Sequence, residues 1–221
     1  MITLSSLELD PHSGLQLRRA GNLTAPQGRL LLLHGVGSNE ENLAPLVSKL
    51  PPQLEILLVR APRQLGPGGY GFYQVSFATG KPTFEVDHAE KSRLQLIALL
   101  EGLPPLPTVI AGFSQGGIMS AGVGLSAPQH LRGFALLSGR MLEEFAPSIA
   151  PAIALEGLQA FVAHGHRDGV LPVAYARQSQ AWLERLGVAH VLRLYDMAHE
   201  ISDAELSDFS QWVRSVLNVK G

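Results

Sequence analysis

A serine between two glycines carries the strongest chemical signal in the sequence. Residues 112–116 read Gly-Phe-Ser-Gln-Gly, so Gly112 and Gly116 lie two positions on either side of Ser114. A nucleophilic serine needs a sharp turn between a strand and a helix, and the crowded backbone of that turn tolerates only very small neighbours. A strand-like stretch precedes Ser114 and a stretch of small residues follows it. The pattern predicts a catalytic serine, against the alternative of a glycine-rich turn with a structural serine.

Asp168 is the aspartate best placed to act as the acid partner of such a serine. A serine hydroxyl is a weak nucleophile and needs a histidine base, which an acidic side chain orients. In hydrolases with this turn, the acid follows the serine along the chain and the histidine comes last. Asp168 comes just after a strand-like segment, at the edge where open parallel sheets carry their active sites. The other aspartates after the serine have turn or helix positions that favour structural roles: Asp196, Asp203 and Asp208.

His199 is the predicted base. It lies between the last strand-like segment and a terminal helical pattern, which is again the carboxyl edge of the sheet. His164 and His166 occupy the turn of the predicted acid, and His190 falls at the start of a strand, where a structural role is favoured. The first two of these have a spacing that metal sites use. Because an arginine separates them and the chain has no cysteine, we expect no metal.

Two backbone amides are expected to stabilise the negative charge that develops on the substrate oxygen. One belongs to Gln115, the residue after the serine, and the other to the loop after the first central strand. That loop, residues 34–37, reads His-Gly-Val-Gly, and its glycines let the backbone approach a substrate carbonyl. We therefore predict an oxyanion hole formed by the amides of Val36 and Gln115.

Short strand-like runs alternate with longer helical patterns along the whole chain. Strands are expected at residues 4–9 and 15–19 as a hairpin, and then at 29–33, 54–59, 108–112, 133–137, 160–163 and 188–195. Helices are expected at 38–50, 86–100, 115–125, 172–186 and 202–217, with capping boxes at Ser38 and Ser202. This alternation predicts a single α/β domain over residues 1–221, with a mostly parallel sheet covered by helices on both faces.

Two stretches, 63–83 and 140–157, fit neither pattern and are interpreted as irregular loops that border the site. On loop position alone, four residues are expected to line an acyl pocket: Phe72, Tyr73, Met141 and Leu171.

Composition excludes several classes of protein. The 221 residues carry a formal charge of −2 and include no cysteine, which excludes disulfides, thiolate catalysis and thiolate zinc sites. No strong field of either sign would recruit nucleic acid. No apolar run is long enough to span a membrane, and the first residues do not resemble an export signal. We expect a cytoplasmic protein with no stable membrane insertion.

These residues together resemble the phospholipase/carboxylesterase group of α/β-hydrolases, which includes acyl-protein thioesterases and small bacterial carboxylesterases. The matching stretches are LLLHGVGSNE (31–40), VRAP (59–62), AGFSQGGIMS (111–120), ALLSG (135–139), HGHRDGVLP (164–172) and MAHEIS (197–202). The resemblance implies Ser114 as nucleophile, Asp168 as acid and His199 as base. It also implies an α/β-hydrolase fold with no large cap domain and no cofactor. The chain departs from the group at Gly71-Phe72-Tyr73, where a tryptophan is usual.

The predicted function is hydrolysis of carboxylic esters of short to medium acyl chains through an acyl-enzyme, acting on a small-molecule ester. The same residues would also serve an acyl thioesterase, a lysophospholipase or a lactonase. A non-catalytic binding module is disfavoured, because nucleophile, acid and base are all present. The chain is compatible with a homodimer.

Overall fold

The central feature of the protein is a twisted sheet of eight strands. The computed structural model describes residues 3–76 and 83–220. The strands of this sheet are β1 Glu8–Leu9, β2 Gln16–Gly21, β3 Gly28–Leu33, β4 Leu54–Arg60, β9 Thr108–Phe113, β10 Gly133–Leu137, β11 Gln159–Gly165 and β12 Ala189–Tyr195. Four short strands form two small hairpins outside it: β5 Arg63–Gly66 with β6 Gly69–Gly71, and β7 Val75–Ser76 with β8 Thr83–Phe84.

The strand order is β1-β2-β4-β3-β9-β10-β11-β12, and every pair from β4 to β12 is parallel. The strands β1 and β2 are antiparallel to each other, and β2 is antiparallel to β4. The register aligns Leu33 with Gly112, and Leu137 with both Phe113 and Ala163. The carboxyl ends of β3, β9, β10 and β11 therefore meet at one edge, and their following loops lie side by side.

In the part of the chain that the structure describes, five α-helices and three 3₁₀-helices accompany the sheet. The α-helices are α1 Val86–Gly102, α2 Gln115–Ser126, α3 Ala152–Leu155, α4 Ala174–Leu186 and α5 Asp203–Val216. The 3₁₀-helices are Glu40–Lys49, Pro128–His130 and Glu143–Ser148. None of the helices in the described ranges is long and apolar enough to cross a bilayer.

The sheet separates two hydrophobic cores. Leu31 and Leu33 of β3 point into the first core, which also holds apolar residues of α1, α2 and α4. Leu30 and Leu32 point into the second core, with residues of α5 and of the 3₁₀-helix Glu40–Lys49. Successive side chains of a strand face opposite sides, so a continuous apolar strand such as β3 requires cover on both faces. The predicted architecture, a mostly parallel sheet between helical layers, is confirmed.

Two of the predicted helices differ from expectation. Residues 40–49 form a 3₁₀-helix that contains Pro45, and its N-cap is Asn39 rather than Ser38. An interior proline removes one hydrogen bond, and its ring clashes with the carbonyl four residues earlier in an α-helix. Pro45 therefore disfavours a continuous α-helix here. The helix α4 begins at Ala174, two residues after Pro172, and ends as predicted at Gly187, with φ of 69°.

The remaining predictions for the elements are close to the structure. The hairpin of the first two strands is confirmed, and Ser202 caps α5 by accepting a hydrogen bond from the amide of Glu205. The stretch 63–83 differs from the irregular loop that was expected, because it carries β5, β6, β7 and the first residue of β8. Its residues 77–82 lie outside the described part of the chain. The stretch 140–157 contains a 3₁₀-helix and the four-residue α3.

Candidate active site

Ser114 occupies a strained turn between β9 and α2. Its backbone has φ of 54° and ψ of −116°, a conformation that non-glycine residues rarely adopt. A Cβ on Gly112 would lie 2.2 Å from the carbonyl carbon of Gly116, and one on Gly116 would lie 2.1 Å from the oxygen of Leu33. Neither position can hold a side chain without moving backbone. The glycines of the sequence motif are therefore explained by the packing of the turn against β3.

Three side chains from different loops form a continuous hydrogen-bond relay. The Nε2 atom of His199 lies 2.9 Å from Oγ of Ser114, and its Nδ1 atom lies 2.7 Å from Oδ2 of Asp168. With a proton on Nδ1, which donates to the carboxylate, Nε2 is free to accept the serine proton. The ring of His199 packs against Phe113, with centroids 4.8 Å apart. The structure thus brings the predicted nucleophile, base and acid together.

Asp168 is held by the amides of its own turn. Its Oδ1 atom accepts hydrogen bonds from the amides of Val170 and Leu171, both at 2.8 Å. Burial by itself would raise the pKa of Asp168, but the hydrogen bonds from His199 and from these two amides outweigh burial and hold the pKa below its usual value. The acid is therefore ionised across the neutral range and can stabilise a positive charge on His199.

The loops that carry Asp168 and His199 are joined to each other by their backbones. The amide of His166 donates to Tyr195, and that of Arg167 donates to Met197. A Cβ on Gly165 would lie 2.3 Å from the oxygen of Met197 and 2.4 Å from that of Ala198. This contact allows only glycine at position 165. The distance between acid and base is consequently set by direct packing of one loop on the other.

His164 is a part of the site for which sequence reasoning gave no role. The side chain is fully buried, and Nε2 lies 2.7 Å from the carbonyl oxygen of Leu171 and 3.2 Å from Oδ2 of Asp168. An Nε2 proton can therefore bridge both ends of the acid loop. In the sequence, His164 forms a His-x-His pair with His166 and belongs to the matching stretch 164–172, but neither pattern indicates a contact with Asp168.

The loop of residues 34–37 lies against the nucleophile. A Cβ on Gly35 would approach Cβ of Ser114 to 3.5 Å. Within the described part of the chain, no hydrogen bond engages the amide of Val36, whereas its neighbour Gly37 donates to Tyr70. The amide of Gln115 is at the first position of α2, where a helix offers no internal acceptor. Both amides are therefore available as oxyanion donors.

His34 fixes the start of this loop. It is buried, with Nδ1 2.8 Å from the oxygen of Gly35 and Nε2 3.0 Å from the amide nitrogen of Ala61. Ala61 must donate, so Nε2 is unprotonated and Nδ1 carries the proton. Burial lowers the pKa of His34, which is consistent with this neutral form. The imidazole thus ties the loop of Val36 to the end of β4.

Phe72 and Tyr73 do not line an open pocket, which corrects the expectation from loop position. They are 0% and 3% exposed, and both belong to the first hydrophobic core. The side chain of Gln115 holds their backbone, accepting from the amide of Phe72 and donating to the oxygen of Tyr73, both at 2.8 Å. The Phe72 ring packs on His34, with centroids 5.8 Å apart. Phe72 and Tyr73 therefore pack in the core and contact the turn of Ser114 through Gln115.

The other two expected pocket residues are only partly accessible. Met141 is half-buried and borders a small cavity with Phe145 and Trp182. Leu171 is half-buried, and its backbone serves Asp168 and His164. The apolar side chains that are exposed next to the site are different ones: Val36, Leu65 and Val170. Leu65 packs beside Gly71, close to the side chain of Gln115.

The alternative acids and bases have other partners. Asp196 pairs with Arg167 at the surface, Asp203 with Lys49, and Asp208 accepts from the hydroxyl of Tyr195. His190 contacts the oxygen of Val188, and His166 is exposed. The described residues contain no cluster of three or more histidine and acidic side chains with the geometry of a metal site.

Comparison with known proteins identifies the family of the chain. A model of the family "Phospholipase/Carboxylesterase" matches residues 22–217. An acyl-protein thioesterase 1 of Gibberella zeae is 31% identical over 122 residues, which cover 54% of this chain and 52% of that protein. A probable carboxylesterase of Oryza sativa subsp. japonica is 26% identical over 211 residues, covering 86% and 89%. The chain spans about half the length of the first curated relatives it matches.

Solved structures agree with this assignment at the level of the fold. A carboxylesterase from Mesorhizobium loti superimposes with a TM-score of 0.78 at 22% identity, over 95% of this chain and 99% of that one. The fold is therefore that of the α/β-hydrolases, and the described residues contain no large cap domain. Because the family model covers most of its length, the chain belongs to the phospholipase/carboxylesterase family.

Proposed function

We propose that the protein is a serine hydrolase that cleaves carboxylic esters through an acyl-enzyme. The single observation that carries this proposal is the relay of two hydrogen bonds, 2.9 Å from Ser114 to His199 and 2.7 Å from His199 to Asp168. Membership of the family supports it. The open amides beside the serine supply the second requirement of acyl transfer, stabilisation of the developing oxyanion.

Acylation begins when Oγ of Ser114 attacks the ester carbonyl carbon and its proton passes to Nε2 of His199. The carbonyl oxygen takes up the electron pair of the broken π bond, and the amides of Val36 and Gln115 donate to it. The tetrahedral intermediate then collapses, the bond to the leaving alcohol breaks, and His199 returns the proton to that alcohol. Asp168 remains ionised and stabilises the imidazolium at each stage.

Deacylation repeats these steps with water as the nucleophile. His199 removes a proton from the water as it attacks the acyl carbonyl, and the same amides hold the oxyanion. The bond to Oγ of Ser114 breaks, and His199 returns the proton to it. The carboxylic acid product is released and the enzyme is restored.

The test of the catalytic assignment is labelling and kinetics of matched variants. A fluorophosphonate probe should label Ser114 of the native protein, and Ser114→Ala should remove both the label and the esterase activity. His199→Ala should lower kcat by about 10⁴-fold or more. The native kcat/KM should rise with pH as His199 loses its proton, because only the neutral ring can accept the serine proton.

Ser207→Ala and His166→Ala are the controls, since both side chains are exposed. They should retain labelling and turnover. Labelling that survives in Ser114→Ala, or near-native turnover of His199→Ala, would contradict the assignment. Loss of activity on chelation, with the probe having no effect, would indicate a metal-dependent hydrolase instead.

We infer a preference for esters with short to medium acyl chains. Among the described residues, the exposed apolar side chains next to the site are Val36, Leu65 and Val170. The aromatic rings of Phe72 and Tyr73 are buried in the core. Each buried methylene contributes about 0.8 kcal/mol, which corresponds to roughly a fourfold gain in kcat/KM. On a short apolar surface, kcat/KM should therefore stop rising with added methylenes once the acyl chain covers that surface.

A series of nitrophenyl esters from acetyl to palmitoyl measures this preference. We expect kcat/KM to rise over the first few methylenes and then level off. Leu65→Ala and Val170→Ala should lower the kcat/KM reached at this plateau. Ile153→Ala is the control and should leave it unchanged, because Ile153 is an exposed apolar residue of α3 and not one of the side chains next to the site. A steady rise to the longest chain would contradict the short surface and favour a lipid channel.

Thioester hydrolysis is the second candidate activity. One relative carries the name acyl-protein thioesterase 1, and the same relay would serve a thiol leaving group. Lysophospholipids and lactones would also fit this chemistry. Oxygen esters and thioesters of identical acyl group, compared by kcat/KM, separate the two activities.

We further propose that residues 1–221 fold as one domain that acts in the cytoplasm. The balanced charge and the absence of cysteine support this location. The prediction of a homodimer can be checked by sedimentation of the purified protein.

A further inference from the structure

A polar cavity of about 300 Å³ lies beside the end of β4 and is separate from the site described above. Its walls come from the first hairpin (β1, β2 and their turn), from the β4–β5 corner, from Tyr70 of β6 and from the first half of α1. None of the triad residues or oxyanion donors lines it. Three cations do: Arg60, Arg63 and Lys91, together with His88.

Two of these cations have no counter-ion among residues 3–76 and 83–220. Arg60 is compensated, because its guanidinium makes hydrogen bonds of 2.6 and 2.7 Å to the buried carboxylate of Glu40. In the described ranges, neither Arg63 nor Lys91 forms an ion pair or a side-chain hydrogen bond, and no acidic residue lines the cavity. Arg63 is half-buried. A partly buried arginine without a counter-ion favours the approach of an anion, so this wall is suited to one.

We propose that this cavity binds a small multivalent oxyanion, of the phosphate or polycarboxylate class. The planar fork of Arg63 can bind two oxygens of such a group at once, and the ammonium of Lys91 supplies a second positive charge. A volume of about 300 Å³ is at the lower end of the range for small-molecule sites. It suits an anion of the size of pyrophosphate or citrate.

The cavity shares structural supports with the oxyanion loop. Ala61 lines it and donates to Nε2 of His34 at 3.0 Å. Tyr70 lines it too, and its backbone donates to the oxygen of Ser38 and accepts from the amide of Gly37, at 2.7 and 2.8 Å. An anion seated here would therefore contact residues that hold the loop of Val36 in place.

The test is calorimetric titration of the full chain with pyrophosphate, citrate and inorganic phosphate at constant ionic strength. The Ser114→Ala variant is used, so the result does not depend on the proposed hydrolysis. We expect saturable one-to-one binding of pyrophosphate or citrate with a Kd below about 1 mM, and weaker binding of phosphate. Arg63→Gln and Lys91→Gln should each raise the Kd about tenfold or more, and the double variant should abolish saturation.

Arg177→Gln is the matched control, since Arg177 is an exposed arginine on α4, and its Kd should equal that of the parent. Arg63→Lys keeps the charge but lacks the planar guanidinium, and it should bind with intermediate affinity. It also provides a second test of position 63 if Arg63→Gln does not fold. Absence of saturation up to 10-fold above the expected Kd would overturn the proposal. Equal weakening by Arg177→Gln would also overturn it, because binding would then follow net charge alone.

Discussion

At the scale of single residues, His164 links Asp168, the proposed catalytic acid, to the carbonyl oxygen of Leu171. Asp168 receives one hydrogen bond from the base, and its other oxygen is held by two amides. His164 lies beneath, within reach of both Asp168 and the oxygen of Leu171. A neutral ring with its proton on Nε2 satisfies the acceptors at both ends of this turn. We infer that His164 is a positioning residue that acts on catalysis through Asp168.

Replacing His164 by phenylalanine should lower kcat about tenfold to a hundredfold with little change in KM. The physical reason is the loss of a buried hydrogen bond to a charged group, which contributes about 1.5–3 kcal/mol. His164→Gln keeps a donor and should recover part of the rate. The acid limb of the pH profile should also move in His164→Phe, because a displaced Asp168 stabilises the imidazolium less well.

A purely structural histidine would give a different result. It would lower the melting temperature of His164→Phe without changing kcat or the pH profile of the folded fraction. His166→Phe, an exposed neighbour on the same loop, serves as the control and should leave both unchanged.

The residues that could be predicted from sequence are those with a local signature. Gly112 and Gly116 mark the turn of Ser114 in the sequence, because a Cβ at these positions would lie only 2.2 and 2.1 Å from backbone atoms. The burial of Phe72 and Tyr73 could not be predicted in this way. It depends on the side chain of Gln115, which is more than 40 positions away and holds their backbone. Loop position indicates proximity to a site but not whether a side chain points outward.

At the scale of elements, the loop of Asp168 packs directly against the loop of His199. Their strands, β11 and β12, are parallel neighbours in register, and Gly165 lies opposite Tyr195. The main-chain hydrogen bonds and the close approach at Gly165 continue this pairing beyond the strands. The geometry of the relay therefore depends on the spacing of two backbones as well as on side chains.

Gly165→Ala should separate these two loops and reduce activity. Its Cβ would lie 2.3 and 2.4 Å from two carbonyl oxygens, which requires the backbone to shift. We expect a loss of about 1–3 kcal/mol of stability and a fall in kcat, measured by thermal unfolding and ester hydrolysis. Gly169→Ala is the control in the same loop, because no atom lies within 4 Å of a Cβ there. Similar losses in both variants would show that spacing at Gly165 is not the cause.

Elements were predictable where periodicity and end signals agree. Gly187 ends α4, and Ser202 begins α5, as the sequence indicates. The 3₁₀-helix Glu40–Lys49 could not be predicted in this way. Asn39 caps it in place of Ser38, and Pro45 lies inside it. Glu41, the expected capping partner, instead pairs with Arg18. Competing local contacts, which the pattern does not rank, decided the outcome.

At the scale of the whole molecule, the sheet and its two cores make one continuous body. The first four strands form one side of the sheet and β9 to β12 form the other, and the two sides join where β3 pairs with β9. The C-terminal helix α5 packs against β11 and also against the 3₁₀-helix Glu40–Lys49. We therefore expect a single cooperative unfolding transition. One of the buried polar groups of this body is a carboxyl. Glu205, in the first turn of α5, is fully buried, and among the described residues no cation forms an ion pair with it.

Glu205 should make the stability of the molecule depend on pH. Burial raises the pKa of its carboxyl to about 8, and the amide of Ser202 offsets only part of this effect. In the unfolded chain the pKa is near 4.5, so the unfolded state releases its proton first. The free energy of unfolding therefore has its full value, as far as Glu205 is concerned, below pH 4.5, and it falls as the pH rises towards 8.

Glu205→Gln keeps the shape of the side chain without a charge, so its free energy of unfolding should fall less over this pH range. At pH 8 the variant should be more stable than the native chain by on the order of a few kcal/mol. The free energy of unfolding in urea from pH 5 to pH 8 measures the difference, and Glu143→Gln, an exposed glutamate, should keep the native slope. If Glu205→Gln declined with pH as steeply as the native chain, the buried carboxyl would not be its cause.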